Sequence, residues 1–188
     1  PAPRTAKPVG PVNLQAMNYY NRGSLMNASL LANEGRGFVK VFRDRDEKEG
    51  GRAWGTRTLV GLIERVAEKF SERFPGRERI QVADIAKKRG GKTSHGSHQN
   101  GLDADIVYIR KNKKEQLPYG GYGKNGFAEQ FVVRTSPSRK AKAIYVPSAN
   151  FDTEANFNLM KMFSSSGRVK RFFVDKVLIR EFFRYSEE

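Results

Sequence analysis

Both histidines of the chain, His95 and His98, lie within eleven residues of sequence that also hold Asp103 and Asp105, in the stretch Ser-His-Gly-Ser-His-Gln-Asn-Gly-Leu-Asp-Ala-Asp-Ile over 94–106. Any fold of this chain has to place that loop and the segment after it side by side. Neutral imidazole and carboxylate are the usual non-sulfur ligands of zinc, and the chain has no cysteine to offer a thiolate. Residues 102–109 are rich in apolar and β-branched side chains that partly alternate, which predicts a strand. Alternation puts Asp103, Asp105 and Val107 on one face, toward a cleft, and Leu102, Ala104 and Ile106 on the other, toward a core. Gly101 lets the loop turn tightly and fold His98 back toward Asp105. Each piece alone has a bland reading. His-x-x-His is more often surface or core decoration than a ligand pair, and Asp-x-Asp is often a turn or cap. Their joint order is what points to half of a metal site.

The same residues, with Arg89-Gly90-Gly91-Lys92 ahead of them, resemble the penicillin-insensitive murein endopeptidases. These are zinc peptidases of the wider group that includes lysostaphin and the D-Ala-D-Ala metallopeptidases. The match is sharp over 84–109 and only general from about 13 to about 185. The resemblance implies that His98 and Asp105 are zinc ligands. It implies that His95 stands beside the metal as a catalytic group touching substrate or water, and that Asp103 orients groups around the site. It implies a zinc-dependent D,D-endopeptidase that cuts peptide cross-links of bacterial peptidoglycan at the D-Ala to diaminopimelate amide. Zinc would lower the pKa of bound water and polarise the scissile carbonyl. Penicillin would not inhibit such an enzyme, since no serine is acylated. The family's third ligand and its base come from a C-terminal His-x-His, and no histidine follows His98 in this sequence. The expectation is therefore a metallopeptidase domain over 13–188 that lacks its C-terminal end, in a periplasmic or secreted protein.

Charge sets the competing readings. The formal net charge of +15 over 188 residues favours polyanionic partners. Peptidoglycan, with its free stem carboxylates, is one. Nucleic acid is the other, and it is disfavoured because no nucleic-acid motif appears. The basic turn over 87–92 lacks the spacing of a phosphate-binding loop; it reads as a carboxylate clamp beside the metal or as a solvated loop. No apolar run is long enough to span a membrane. A catalytically silent wall-binding module that keeps only the His98/Asp105 half is the alternative to an enzyme.

The remaining pattern predicts an α+β fold. Residues 1–12 read as a flexible arm. A strand is expected over 38–42 and a helix over 56–74, with Leu59, Leu62, Ile63, Val66, Phe70 and Phe74 as its apolar stripe, Thr56 as its cap and Pro75-Gly76 as its stop. Further strands are expected over 79–85, 127–133 and 169–174. A helix over 152–163 starts at Asp152, and another over 176–185 buries Ile179, Phe182 and Phe183. The Gly/Tyr-rich loop over 111–126 is placed to line a substrate groove, or to stack on single-stranded nucleic acid. The expected architecture is a central antiparallel sheet of 79–85, 102–109 and 169–174, carrying the site, with helices packed on its opposite face.

Overall fold

A computed structural model describes residues 16–18, 22–41, 51–93, 96–115, 131–135 and 144–187. The arm over 1–12, most of the Gly/Tyr-rich loop and His95 lie outside these residues. The elements in chain order are β1 (Ala16–Met17), β2 (Ser24–Leu25), β3 (Ser29–Leu30), β4 (Glu34–Gly35), β5 (Phe38–Lys40), β6 (Trp54–Gly55), α1 (Arg57–Arg73), β7 (Ile80–Val82), β8 (Val132–Thr135), β9 (Ile144–Pro147), α2 (Thr153–Ser164) and α3 (Lys176–Glu187).

The long helix forms as its sequence dictates. Thr56 is extended and its side chain accepts from Leu59 N–H at 3.2 Å, satisfying one of the free donors of the first turn. Val60, Leu62, Ile63, Val66, Ala67 and Phe70 are buried and form the apolar stripe. They pack against Phe38, Ile80, Val82 and Ile85 on one side and Ala155, Leu159 and Phe163 of α2 on the other. The helix also solves a topological problem. β5 and β7 pair in parallel, Phe38 opposite Ile80 and Lys40 opposite Val82, and parallel neighbours need a crossover between them. α1 is that crossover. It lies so close to the β4–β5 turn that a Cβ on Gly37 would sit 2.2 Å from the Ala67 carbonyl oxygen, and Gly37 has φ +80°.

The expected central antiparallel sheet is replaced by several small sheets. β1 pairs with β2, β3 with β6 and β8 with β9, all antiparallel, while β4, β5 and β7 make a three-stranded mixed sheet. The segment 102–109 runs antiparallel beside β7, but only Val82 and Ile106 form a bridge. It is held by Asp105 N–H to the Asp84 carbonyl (2.8 Å), Ala83 N–H to the Asp105 carbonyl (2.9 Å) and Val107 N–H to the Gln81 carbonyl (2.9 Å). Its alternation holds in the middle. Ala104 and Ile106 pack on the main core, and Val107 joins Val41 and Ala83 in a second cluster on the opposite face. Leu102, expected inside, is 57% exposed because it follows directly on the turn.

Two further expectations are corrected. Residues 169–174 are not a strand; Phe172 and Phe173 are exposed, and the run has no partner strand among the described residues. It leads instead into α3, where Asp175 Oδ1 accepts from Val177 N–H at 2.7 Å. On α3 the buried set is Val177, Leu178 and Phe182, whereas Ile179 and Phe183 face out. Leu178 and Phe182 sit four residues apart and meet Phe151, which fixes the face that docks.

The far end of 102–109 is locked by two polar devices. The Asn156 amide of α2 serves Ile109 as a strand would: it accepts from Ile109 N–H and donates to the Ile109 carbonyl, both at 2.8 Å. Arg110 is buried against Glu78 and Gln81. Its Nη2 donates to Glu78 Oε2 and to Gln81 Oε1, both at 2.6 Å, and the Arg110 and Glu78 side chains are 5% and 1% exposed. Burial pushes the Glu78 carboxyl above its ordinary pKa, and Arg110 pulls against that rise.

Candidate metal centre

The site is built from one loop and one extended segment. Thr56 N–H donates to the Gly101 carbonyl at 3.0 Å, tying the turn to the start of α1. Gly101 has φ +69°, and a Cβ there would sit 2.8 Å from Leu25 Cδ2 and 3.0 Å from Gly55 Cα. The turn therefore needs glycine for its conformation and for its close approach. Asn100, 1% exposed, accepts from Leu102 N–H at 3.3 Å and donates to the Asn18 carbonyl at 3.3 Å. These contacts bend the loop so that His98 returns over the aspartates.

His98 is buried and left-handed, with φ +62°, a conformation tolerated by His better than by bulkier or β-branched residues. Its own N–H donates to Asp103 Oδ2 at 2.8 Å. Its ring lies between two carboxylates, with Nδ1 3.3 Å from Asp103 Oδ2 and Nε2 3.3 Å from Asp105 Oδ1. Asp103 Oδ1 is buried without a hydrogen-bond partner among the described residues. The side chain of Asp105 is about half exposed, so this end of the site opens outward. The fold thus brings His98, Asp103 and Asp105 together, as the motif predicts. Among the described residues no three His, Asp, Glu or Cys side chains form a set able to hold a metal ion.

Sequence reasoning missed two contributors. Asp84 is buried next to the segment that carries Asp105, and it holds Arg52 Nη1 at 2.7 Å. The place of Asp84 two residues after Val82 of β7 was the available signal, since alternation puts both on one face. Arg52 carried none. The basic turn is occupied with its own structure: Lys87 Nζ donates to the Lys92 carbonyl at 2.9 Å, and Lys88 Nζ lies over the Trp54 ring, 5.1 Å from its centroid.

The local field favours a cation. Burial disfavours a charged imidazole at His98, but the hydrogen bond to Asp105 and the charges of Asp105, Asp103 and Asp84 outweigh it and raise its pKa. A raised folded-state pKa gives stability that is complete below the ordinary value, about 6.5, and lost as pH rises through the folded value. In chelator-treated protein, the melting temperature of the wild type should fall relative to that of His98→Gln as pH rises above about 6.5. Parallel melting curves over that rise would remove the argument.

Comparison with known proteins identifies the family of the chain. A family model described as penicillin-insensitive murein endopeptidase matches residues 16–187. A protein of that name from Haemophilus influenzae is 33% identical over 89 residues, 46% of this chain and 29% of the relative. Another, from Yersinia enterocolitica, is 25% identical over 177 residues, 89% of this chain and 55% of the relative. The chain thus spans about half of the longer-matching relative. No helix among the described residues is long and apolar enough to cross a membrane. With the family match running through both the loop that holds His98 and the segment that holds Asp105, the chain belongs to the penicillin-insensitive murein endopeptidase family.

Proposed function

We propose that this chain is part of a periplasmic or secreted zinc-dependent D,D-endopeptidase that hydrolyses peptide cross-links of bacterial peptidoglycan. The observation that carries the reading is the 3.3 Å between His98 Nε2 and Asp105 Oδ1. Two ligands of one tetrahedral zinc, each about 2.1 Å from the ion, lie about 3.4 Å apart. His98 and Asp105 would hold the ion, and the carboxylates around them supply the charge to attract it. When bound, zinc would act as a Lewis acid on the scissile carbonyl and make water a nucleophile near neutral pH.

The chain's own residues prepare that chemistry. Asp103 fixes the loop by accepting the His98 N–H and faces Nδ1 of the same ring. A proton held on Nδ1 leaves the Nε2 lone pair for a metal, the usual division of labour in carboxylate–histidine pairs. The half-exposed Asp105 sits where substrate can reach. His95, three residues earlier in the sequence, would touch substrate or the bound water.

Zinc titration of chelated protein, read by equilibrium dialysis and by cleavage of a soluble cross-linked muropeptide dimer, tests the reading. Asp105→Ala should abolish both stoichiometric zinc and cleavage. Asp103→Asn should weaken zinc affinity by about 10–100-fold while retaining measurable cleavage. Equal loss in the two variants would erase the distinction between ligand and support. The presence of only two well-placed ligand side chains among the described residues favours a second reading, a module that holds the wall without cutting it. Retention on sacculi with no cleavage at saturating zinc would select it.

A further inference from the structure

A second charged feature lies between α1 and α2 and shares no lining residue with the His98 site. It is a groove of about 760 Å³ whose floor is Leu62, Val66 and Met162 and whose rim carries Arg65, Lys69, Arg73, Lys161 and Arg168. No carboxylate lines it. Nor does any of the five cations take part in an ion pair among the described residues, in contrast to Arg36, which binds Glu68 and Glu72 on the neighbouring row of α1.

The arrangement is costly to the free protein. Arg65, Lys69 and Arg73 repeat every four residues, so they stack on one row of the helix about 6 Å apart. Like charges at that spacing destabilise a helix. Of the acidic row Glu64, Glu68 and Glu72 beside them, Arg36 engages Glu68 and Glu72. The Arg65 guanidinium packs over Gly61, its Nη1 3.1 Å from where a Cβ would be. The two hydroxyls at the groove's end are used locally. Ser165 Oγ donates to the Lys161 carbonyl and Ser166 Oγ to the Phe163 carbonyl. The cations are left as the recognition groups.

We infer that this groove binds a second peptide stem of peptidoglycan, one that is not being cut, through its free carboxylates and small aliphatic side chains. The partner's identity rests on the function proposed above; the anion-binding character does not. An aliphatic floor under a cationic rim suits short peptides with methyl side chains and carboxylates. The groove lacks the aromatic platforms on which single-stranded nucleic acid stacks. Held there, a stem keeps the chain on the polymer between cuts, so the groove matters for sacculi and not for small fragments.

The test is the triple variant R65Q/K69Q/R73Q. All three side chains are on the exposed side of α1, and glutamine is a good helix former, so the fold is retained. Sedimentation with purified sacculi should weaken by about tenfold and lose most of its salt dependence, while cleavage of the soluble cross-linked dimer stays at the wild-type rate. Wild-type affinity and salt dependence in the variant would overturn the inference. So would loss of oligo-dT binding with sacculus binding intact, since the groove would then be a nucleic-acid surface. A wild-type chain that fails to cut the dimer, while sacculus binding still falls in the variant, would sink the endopeptidase reading and leave the groove standing.

Discussion

The His98→Ala chain is expected to bind no stoichiometric zinc and to leave purified sacculi uncut. Its imidazole is the one group that touches both aspartates, and its removal leaves Asp103 and Asp105 facing each other without the nitrogen between them. A catalytic zinc site rests on three protein ligands, so losing one removes a third of the hold on the ion and all of its geometry. His98 is buried, and the readout must separate chemistry from folding. Zinc content is therefore measured at a temperature where circular dichroism shows the variant folded. Near wild-type hydrolysis by a folded, zinc-replete His98→Ala chain would reject His98 as a ligand.

Arg110→Ala should destabilise the protein by about 3–5 kcal/mol, because Glu78 would be left buried and unpaired. For a chain of this size that corresponds to a fall of about 6–20 °C in melting temperature. Burial already raises the Glu78 pKa, and without Arg110 the carboxyl would rise further and take up a proton. Replacing both partners by apolar residues, Glu78→Leu with Arg110→Met, should recover much of the loss, since an apolar pair of similar volume does not carry the desolvation of two charges. Equal stability of Arg110→Ala and wild type in urea would show that the pair contributes nothing. This pair closes the segment that carries Asp105, so the variant should also cut sacculi less well at temperatures where it begins to melt.

The parts of the fold legible in the sequence are those in which neighbours along the chain decide the outcome. Thr56 and Asp152 cap α1 and α2 where the pattern places them, because a cap needs only the next three residues. The approach of His98 to Asp105 was legible for the same reason: a short loop with a glycine turn leaves the ring few other places to go. What was hidden depends on distant partners. β5 and β7 are three residues each, too short to show whether they pair in parallel or antiparallel, and the parallel choice follows from α1 between them. The run 169–174 has strand-forming residues but meets no partner among the described residues. On α3, Phe182 and Phe183 are equivalent in sequence, and only the position of Phe151 decides which is buried. Arg110, Glu78 and Arg52 look like surface charges, since a buried ion pair leaves no mark in composition.

The side-chain amide of Asn156 closes both hydrogen bonds of Ile109 from within α2, and Asp152, the cap of that helix, donates its N–H to the Ile109 carbonyl at 3.2 Å. The aspartate-bearing segment is thereby stitched to a helix that arises more than forty residues later in the chain. The two cannot open independently at this point: freeing Ile109 means breaking the first turn of α2 as well. Such a joint makes them one cooperative unit, released by large-scale opening and insulated from the small excursions of a surface loop. The aspartate-bearing half of the site borrows its stillness from the helix, and His98 is seated against that fixed wall.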